Sequence, residues 1–375
     1  MEVVLLHPYR HQATPGLRQA SVFDYYGIAP SFTVRTLPTW DLVRWDRWIP
    51  KELFLRMSFS YEMFWTLYAA VVARREHADL YFTRESNVAY WLTRLGMPTV
   101  FEAHMIPKRA QRRLVKLFCR KPALRLVVTL TSFAKDRFHE IGVPEEKIVV
   151  RPSGVDLGLY DQLPSREDCR RRLGLPESEP IVGYVGRFEA MGMEKGVLNL
   201  VRSMALISRP SCLLCVGGPM DLASSYIQEA EQLGIPAGRI RFVDQVPHAE
   251  VALWIRACDV VTLPWSWTDY SAYVTSPMKL FEYMAGGTPI VASDLPSLRE
   301  ILTNGVNARL VKAGDPSALS QGIDDLLGDS RLAASLAVQA RKDVARHTWA
   351  ARATEILHSA LRTDHLQAAV TDRGH

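Results

Sequence analysis

Two segments in the second half of the chain combine residue types that hold anions. The first reads Gly183-Tyr-Val-Gly186-Arg187-Phe-Glu-Ala-Met-Gly-Met-Glu194-Lys195-Gly196. A strand ending at Gly186, a loop carrying Arg187 and a helix starting near Lys195 would offer backbone N–H groups and a helix dipole to an anion. Two cations on one loop suit a diphosphate better than a neutral ligand. The spacing is neither that of a Walker A loop nor G-x-G-x-x-G. An ordinary strand-to-helix loop with two solvated charges would read the same way, and this segment alone does not separate the two.

The second segment is Thr275-Ser276-Pro277-Met-Lys279-Leu-Phe-Glu282-Tyr-Met-Ala-Gly286-Gly287-Thr-Pro-Ile-Val-Ala-Ser-Asp294. Ser276 suits an N-cap, Pro277 a first helical position and Gly286 a stop. A short helix is predicted, with open amides at Thr275 and Ser276. Glu282 falls among Leu280, Phe281, Tyr283 and Met284, where a carboxylate is costly unless hydrogen-bonded. Vicinal ribose hydroxyls would be natural partners. A Glu282–Lys279 pair on a solvated helix face is the competing expectation.

These segments need strands and helices to carry them. Short β-branched runs alternate with longer helical stretches through most of the 375 residues. In the first half the runs are Val3 to Leu6, Phe32 to Thr36, Leu80 to Thr83, Thr99 to Phe101, Leu126 to Thr129 and Ile148 to Val150. In the second they are Ile181 to Val185, Leu213 to Val216, Ile240 to Val243, Val260 to Leu263, Pro289 to Ala292 and Arg309 to Lys312. Near-continuous apolar strands alternating with helices predict an α/β protein with two doubly wound parallel sheets, each of about six strands. Proline, glycine and serine gather over 151–178, as at a linker. The predicted domains are 1–163 and 164–347, with 348–375 as a returning final helix and tail. Ligands of such sheets bind beyond the carboxyl ends of the strands, so a cleft between the sheets is the default site.

At this point the sequence resembles a known family. The two motifs, in this order, look like those of the retaining GT-B glycosyltransferases of family 4: a G-R-x-x-x-x-K-G loop, then S-P-x-K-x-x-E-x-x-A-x-G before a P-[IV]-[IV]-A-[ST] strand. The likeness extends through Val216-Gly217-Gly218-Pro219, Ile240 to Val251, Ala257 to Pro264, Arg151-Pro-Ser-Gly-Val-Asp156 and Thr348-Trp-Ala-Ala-Arg352. It covers most of residues 100–360. The resemblance implies two facing Rossmann-like αβα domains with a deep interdomain cleft. It implies that Arg187 and Lys195 hold a donor diphosphate, that the amides of Thr275 and Ser276 touch the phosphates, that Glu282 binds ribose, and that backbone near Val246 reads the base. The first loop looks longer than the family's, which blurs the lysine position. Many members carry a second glutamate eight residues before the ribose-binding one; here that position is Val274.

On the first domain, Phe101-Glu102-Ala103-His104 ends a strand where the family keeps a histidine near the transferred sugar, so His104 is the catalytic candidate, with Glu102 as its support. The competing expectation is a structural histidine. In Ala13-Thr-Pro-Gly16-Leu17-Arg18, which lacks the family's frequent double glycine, Gly16 would approach phosphate and Arg18 an anionic acceptor.

Charge is uneven. Residues 1–163 hold 23 Lys+Arg against 16 Asp+Glu, and the remainder 22 against 24, which sum to the mild net charge of +5. Eight basic residues and no acid fall in 107–125, beside Leu114, Val115, Leu117 and Phe118. A basic amphipathic helix suits an anionic membrane surface, although a solvated face packed on the sheet fits equally. With little aromatic interleaving, nucleic acid is excluded as a partner. Cys212 and Cys215 form a lone C-x-x-C in an apolar run, which reads as buried strand rather than redox or zinc site. Sparse, odd cysteine use implies a reducing compartment. No apolar stretch reaches the 18 or so residues that span a bilayer.

The expected activity is metal-independent transfer of a hexose-type sugar from a nucleoside-diphosphate sugar to a hydroxyl acceptor: a sugar, a lipid-linked glycan or a small molecule. The setting is cytoplasmic, at the inner membrane face if the basic helix engages lipid. No Asp-x-Asp signature is present, and no cofactor is implied, since the nucleotide sugar is the substrate. Competing readings are an epimerase or phosphorylase on the same scaffold, and a non-catalytic sugar-nucleotide sensor, the latter motivated by Val274.

Overall fold

A computed structural model describes residues 2–9, 21–26, 28–39, 48–190 and 192–371. The chain divides into two compact units. One comprises the residues up to Thr129, Ala134–Val150 and the chain from Ile356 onward; the other comprises Leu130–Phe133 and Arg151–Glu355. The division falls at Val150/Arg151 rather than near residue 163. The physical reason is that the Pro/Gly/Ser segment is bonded into the second unit. The Val155 amide donates to the His347 carbonyl at 3.0 Å, and Val155 bridges Thr348. The Ser153 hydroxyl donates to the Ser276 carbonyl at 2.7 Å. Likewise the final helix, Trp349–Thr371, begins in the second unit, and only its part from Ile356 onward belongs to the first.

In the first unit, strands β1 (Val4–Pro8) and β2 (Thr33–Leu37) form a parallel pair of their own. Strands β3 (Tyr81–Thr83), β4 (Thr99–Ala103), β5 (Leu124–Thr129) and β6 (Ile148–Val150) form a four-stranded parallel sheet in that order. All six predicted runs are strands, but among the described residues they do not join into one sheet. β4 is buried at all five positions, as a two-faced parallel strand requires. On one face Phe101 meets Phe118 and Phe138 at ring separations of 5.8 and 6.2 Å. On the other, Val100, Leu126 and Val128 pack against Ile356 and Ala360, which is what draws the end of the final helix into this unit.

In the second unit, β7 (Ile181–Val185) is followed by a two-residue-per-strand hairpin, β8 (Glu189–Ala190) and β9 (Met193–Glu194). Then come β10 (Cys212–Val216), β11 (Ile240–Val243), β12 (Val260–Leu263), β13 (Ile290–Ser293) and β14 (Arg309–Val311). Apart from the hairpin, these build one parallel six-stranded sheet in the order β11-β10-β7-β12-β13-β14. The chain winds outward from β7 to β11, then crosses back to β12 and winds the other way. The carboxyl ends of β7 and β12 therefore flank a topological switch point, where open α/β sheets hold ligands. The predicted C-x-x-C lies in β10. Both thiols are free, Cys215 is buried, and burial pushes the Cys212 thiol up to about 11. Inert strand cysteines result, not a redox pair.

Candidate active site

The first motif unwinds at the carboxyl end of β7. Gly186 has φ +141°, and a Cβ there would lie 2.6 Å from the Lys279 ammonium, so only glycine permits this turn. Arg187 follows, exposed, with no hydrogen bond or ion pair from its guanidinium among the described residues. The extra length of the loop is taken up by the β8–β9 hairpin. The Lys195 amide returns to the Phe188 carbonyl at 2.8 Å, which restores Lys195 to the neighbourhood of Arg187. No carboxylate pairs with the Lys195 ammonium among the described residues. It lies over the rings of Trp265 at 5.4 Å and Tyr270 at 5.7 Å, and burial pushes its pKa down, with Glu194 partly opposing.

One expectation is narrowed here. The helix after the loop is Val197–Met204, and part of its start is already taken within the chain, leaving the Val197 and Asn199 amides without a partner among the described residues. Glu194 accepts from the Gly196 amide at 2.7 Å and from the Leu198 amide at 3.2 Å. An acidic residue just before a helix satisfies some of the orphan donors itself, here two of them. Gly196, at φ +84°, is needed because a Cβ would meet the Pro264 carbonyl at 2.0 Å. The helix start is thus wedged against the end of β12.

The second motif forms the helix Met278–Gly286. Its N-cap is Pro277 rather than Ser276, and Gly287, at φ +63°, rather than Gly286, ends it. The reason is that Ser276 is otherwise engaged: its hydroxyl accepts from the Ser153 amide at 2.9 Å. The Thr275 amide is already donated to the Tyr270 carbonyl at 3.2 Å. The amides with no partner among the described residues are those of Ser276, Met278 and Lys279. Proline at the cap has none to offer.

Glu282 is half-buried and has no hydrogen bond or ion pair among the described residues. Burial holds its pKa above the usual carboxylate range, with His248 and Lys279 partly opposing. The expected Glu282–Lys279 pair is not formed; Lys279 donates instead to the Tyr184 hydroxyl at 2.5 Å. His248 opens the helix His248–Arg256, two residues after Val246 and beyond the end of β11. The Val246 amide and carbonyl have no hydrogen-bond partner among the described residues. Val274 is buried, with its amide on the Tyr270 carbonyl at 3.1 Å.

The second unit therefore gathers Arg187, Lys195, the Ser276 amide, Glu282 and the Val246 backbone along the carboxyl edge of one parallel sheet. His104 lies in the first unit, just past β4. Its Nε2 is 2.5 Å from the carboxylate of Glu102, which is fully buried and also 3.1 Å from Arg84 Nε. Residues two apart on a strand share a face, which is why Glu102 reaches His104. With Glu102 ionised, Nε2 carries a proton and donates it to the carboxylate, an assignment made from this network. Gly16 and Arg18 lie outside the described residues. The aromatic flank of Lys195 and the Lys279–Tyr184 contact were not read from the sequence; the aromatic run Trp265-Ser-Trp267 directly after β12 was the available signal for the first.

Of the predicted basic amphipathic helix, Arg109–Phe118 is helical, and its apolar side is largely used up in the core. Val115 and Phe118 are buried and Leu114 packs on them, while Leu117 is 59% exposed among the cations.

Comparison with known proteins agrees with this architecture. The model of the group 1 glycosyl transferases matches residues 165–343, and that of glycosyltransferase family 4 matches residues 22–159. A D-inositol 3-phosphate glycosyltransferase of Thermobispora bispora is 29% identical over 310 residues, 74% of this chain and 70% of that protein. Its counterpart from Corynebacterium glutamicum is 26% identical over 338 residues, 87% of this chain and 73% of that protein. Among solved structures, Anabaena HepE in complex with UDP-glucose is 19% identical, with a TM-score of 0.66 over 95% of this chain and 90% of that one. A glycosyltransferase from Rickettsia africae is 16% identical, with a TM-score of 0.70 over 96% and 98%. At such identities the solved structures show the fold, which is GT-B. Each unit of the chain is matched by its own family model, one following the other along the sequence, and the chain belongs to the group 1 glycosyltransferases of family 4.

Proposed function

We propose that this glycosyltransferase takes a hexose-type sugar from a nucleoside-diphosphate sugar and transfers it with retention to a hydroxyl acceptor. The observation that carries the reading is the set of unsatisfied groups along one sheet edge. Among the described residues, Arg187 and Lys195 lack anionic partners, the Ser276 amide lacks an acceptor, and Glu282 lacks a donor. Two cations and an amide match a diphosphate, and a partly desolvated carboxylate matches a ribose diol.

As the glycosidic bond lengthens, negative charge grows on the leaving diphosphate. Preorganised cations and amides stabilise that charge where it develops, the role a divalent metal plays in other transferases. Activity is accordingly expected to survive a metal chelator. The acceptor hydroxyl attacks from the face the leaving group departs, with its proton passing to the leaving phosphate oxygen. His104, oriented by Glu102, is assigned the contact with the transferred sugar.

The excess positive charge of residues 1–163 favours an anionic acceptor. The curated relatives are named for inositol 3-phosphate, so a phosphorylated polyol is the acceptor class to try first. The exposed cations of the Arg109–Phe118 helix, with Leu117, are proposed to touch an anionic lipid surface.

The test is incubation with a nucleoside-diphosphate sugar and an acceptor panel, following glycosylated product and free nucleoside diphosphate together. Equal amounts of the two, unchanged by EDTA and abolished in Arg187→Ala, are expected. Isomerised nucleotide sugar with no free diphosphate would mean an epimerase and overturn the reading.

A further inference from the structure

The helix Met278–Gly286 grips the end of β7 with two side chains one turn apart, Lys279 and Tyr283. β12 pairs with β7 only at Val182 and Gly183, so beyond them that edge of β7 has no ladder. Tyr283 supplies the missing partner at Val185. Its hydroxyl accepts from the Val185 amide at 2.8 Å and donates to the Val185 carbonyl at 3.0 Å.

Lys279 engages the residues on either side. Its ammonium lies 4.0 Å from the centre of the Tyr184 ring and donates to the Tyr184 hydroxyl at 2.5 Å. That hydroxyl has one proton, and donates it to the Arg187 carbonyl at 2.6 Å. Tyr184 is fully buried, and burial keeps the phenol protonated. The direction of the chain is therefore set: ammonium to phenol to carbonyl. Lys279 also fills the space beneath Gly186, the residue before Arg187. On the far side of the turn, the Phe188 amide holds the Gly218 carbonyl at 2.7 Å, and the Phe188 carbonyl receives the Lys195 amide.

A half-buried ammonium with no carboxylate partner among the described residues is an expensive way to pack a helix against a strand. A methionine would fill the volume without that cost. We propose that Lys279 is a positioning residue. Through Tyr184 it holds the Arg187 carbonyl, and so fixes the turn that aims the Arg187 guanidinium and Lys195 at the donor diphosphate. This rests on the diphosphate reading of Arg187 and Lys195.

A pH signature accompanies the geometry. The titratable and charged groups facing Lys279 are Glu282 on its own helix, Lys195 and Glu194 on the loop, Cys215 on β10 and the phenol of Tyr184. Burial is the largest influence and pushes the ammonium down to about 7, Glu282 raising it and Lys195 lowering it. An arriving diphosphate favours the charged form, so binding takes up a proton above neutral pH. Affinity then falls as pH rises from 6.5 to 8.5, by at most about tenfold per pH unit for one proton.

The experiment is calorimetric titration of the full chain with whichever of UDP-glucose, GDP-mannose or ADP-glucose stabilises it. None of these has a phosphate that titrates near neutrality. Titrations run at several pH values and, at pH 7.5, in two buffers of different ionisation enthalpy. Wild type should show proton uptake and the falling affinity. Lys279→Met and Tyr184→Phe should each weaken binding about tenfold, the scale of one charge-assisted hydrogen bond. The double variant should be no weaker than either single, since one chain of bonds is broken once. Lys279→Met should lose both the proton uptake and the pH slope.

Wild-type affinity and slope in Lys279→Met, or additive losses in the double variant, would overturn the inference. If Lys279→Met does not fold, Tyr184→Phe decides, because it removes only a hydroxyl; unweakened binding there is equally fatal. Arg187→Ala separates the two levels. If it too binds normally, the diphosphate reading fails. If it loses binding while the Lys279 and Tyr184 variants keep it, only this inference fails.

Discussion

Glu282 is the residue at which stability and function most directly oppose each other. Its carboxylate is partly removed from water with no donor among the described residues to compensate, so its raised pKa marks a cost to the folded state at neutral pH. The group's favourable contribution is present below the ordinary carboxylate range and is lost as pH rises through the raised value. Glu282→Gln is therefore expected to raise the unliganded melting temperature, by about 1 kcal/mol or some 2–4 °C, in a scan at pH 7. The same variant should bind nucleotide more weakly, because an amide meets a ribose diol with one acceptor where the carboxylate has two. A lowered melting temperature would mean that Glu282 has a structural partner. His104 poses the same question with the opposite sign, because its supporting carboxylate is fully buried and satisfied. Glu102→Gln should retain donor affinity but lower kcat at least about tenfold, through a misoriented imidazole. Equal losses in donor affinity and kcat would place the defect in folding instead.

At the scale of elements, the two motifs are a strand end and the helix that braces it. This explains why they occur together, 95 positions apart at the Tyr184–Lys279 contact. Close approach is also what makes Gly196 irreplaceable. Gly196→Ala would drive a Cβ into the Pro264 carbonyl at a positive φ, and is expected to cost more than about 2 kcal/mol in thermal unfolding. A melting temperature within a degree of wild type would show that the helix start can shift. Much of this level was legible beforehand. Parallel strands buried on both faces read as unbroken apolar runs, so all six strands of the second sheet, and all six of the first unit, were visible in Ile181 to Val185 and their like. The β8–β9 hairpin was not, because two residues per strand leave no periodicity. Nor were the caps: Ser276 has the chemistry of an N-cap, but a bond to Ser153 claims its hydroxyl. Lys279 was read as a surface partner of Glu282, since spacing along a helix says nothing about a tyrosine on a distant strand. The boundary near residue 163 falls between the ranges of the two family models, 22–159 and 165–343, whereas the compact units divide at Val150/Arg151. Composition reports chain flexibility, while the pairing of Val155 with Thr348 is a contact between residues far apart in the sequence.

For the molecule as a whole, the two family models divide the chain much as its two compact units do. The charge divides with them: the positive excess lies in the half matched by the family 4 model. None of the described helices is long and apolar enough to cross a membrane. An attraction to anionic lipid would therefore be electrostatic and sensitive to salt. Co-sedimentation with vesicles rich in an anionic phospholipid should be strong at low salt and lost at high salt. Neutralising Arg112, Arg113 and Lys116 together should weaken it without changing donor affinity. Vesicle binding that these changes leave intact would assign the contact elsewhere. The central claim, however, is that the second unit holds a nucleoside diphosphate through Arg187. It is tested most directly by the ligand-induced stabilisation of wild type and Arg187→Ala across nucleoside diphosphates and their sugars. At 100 times its dissociation constant, the matching nucleotide should stabilise wild type by about 2.7 kcal/mol. At that concentration Arg187→Ala should gain at least about 1.5 kcal/mol less. Stabilisation of wild type by no nucleotide, or of both proteins to the same extent, would contradict the account.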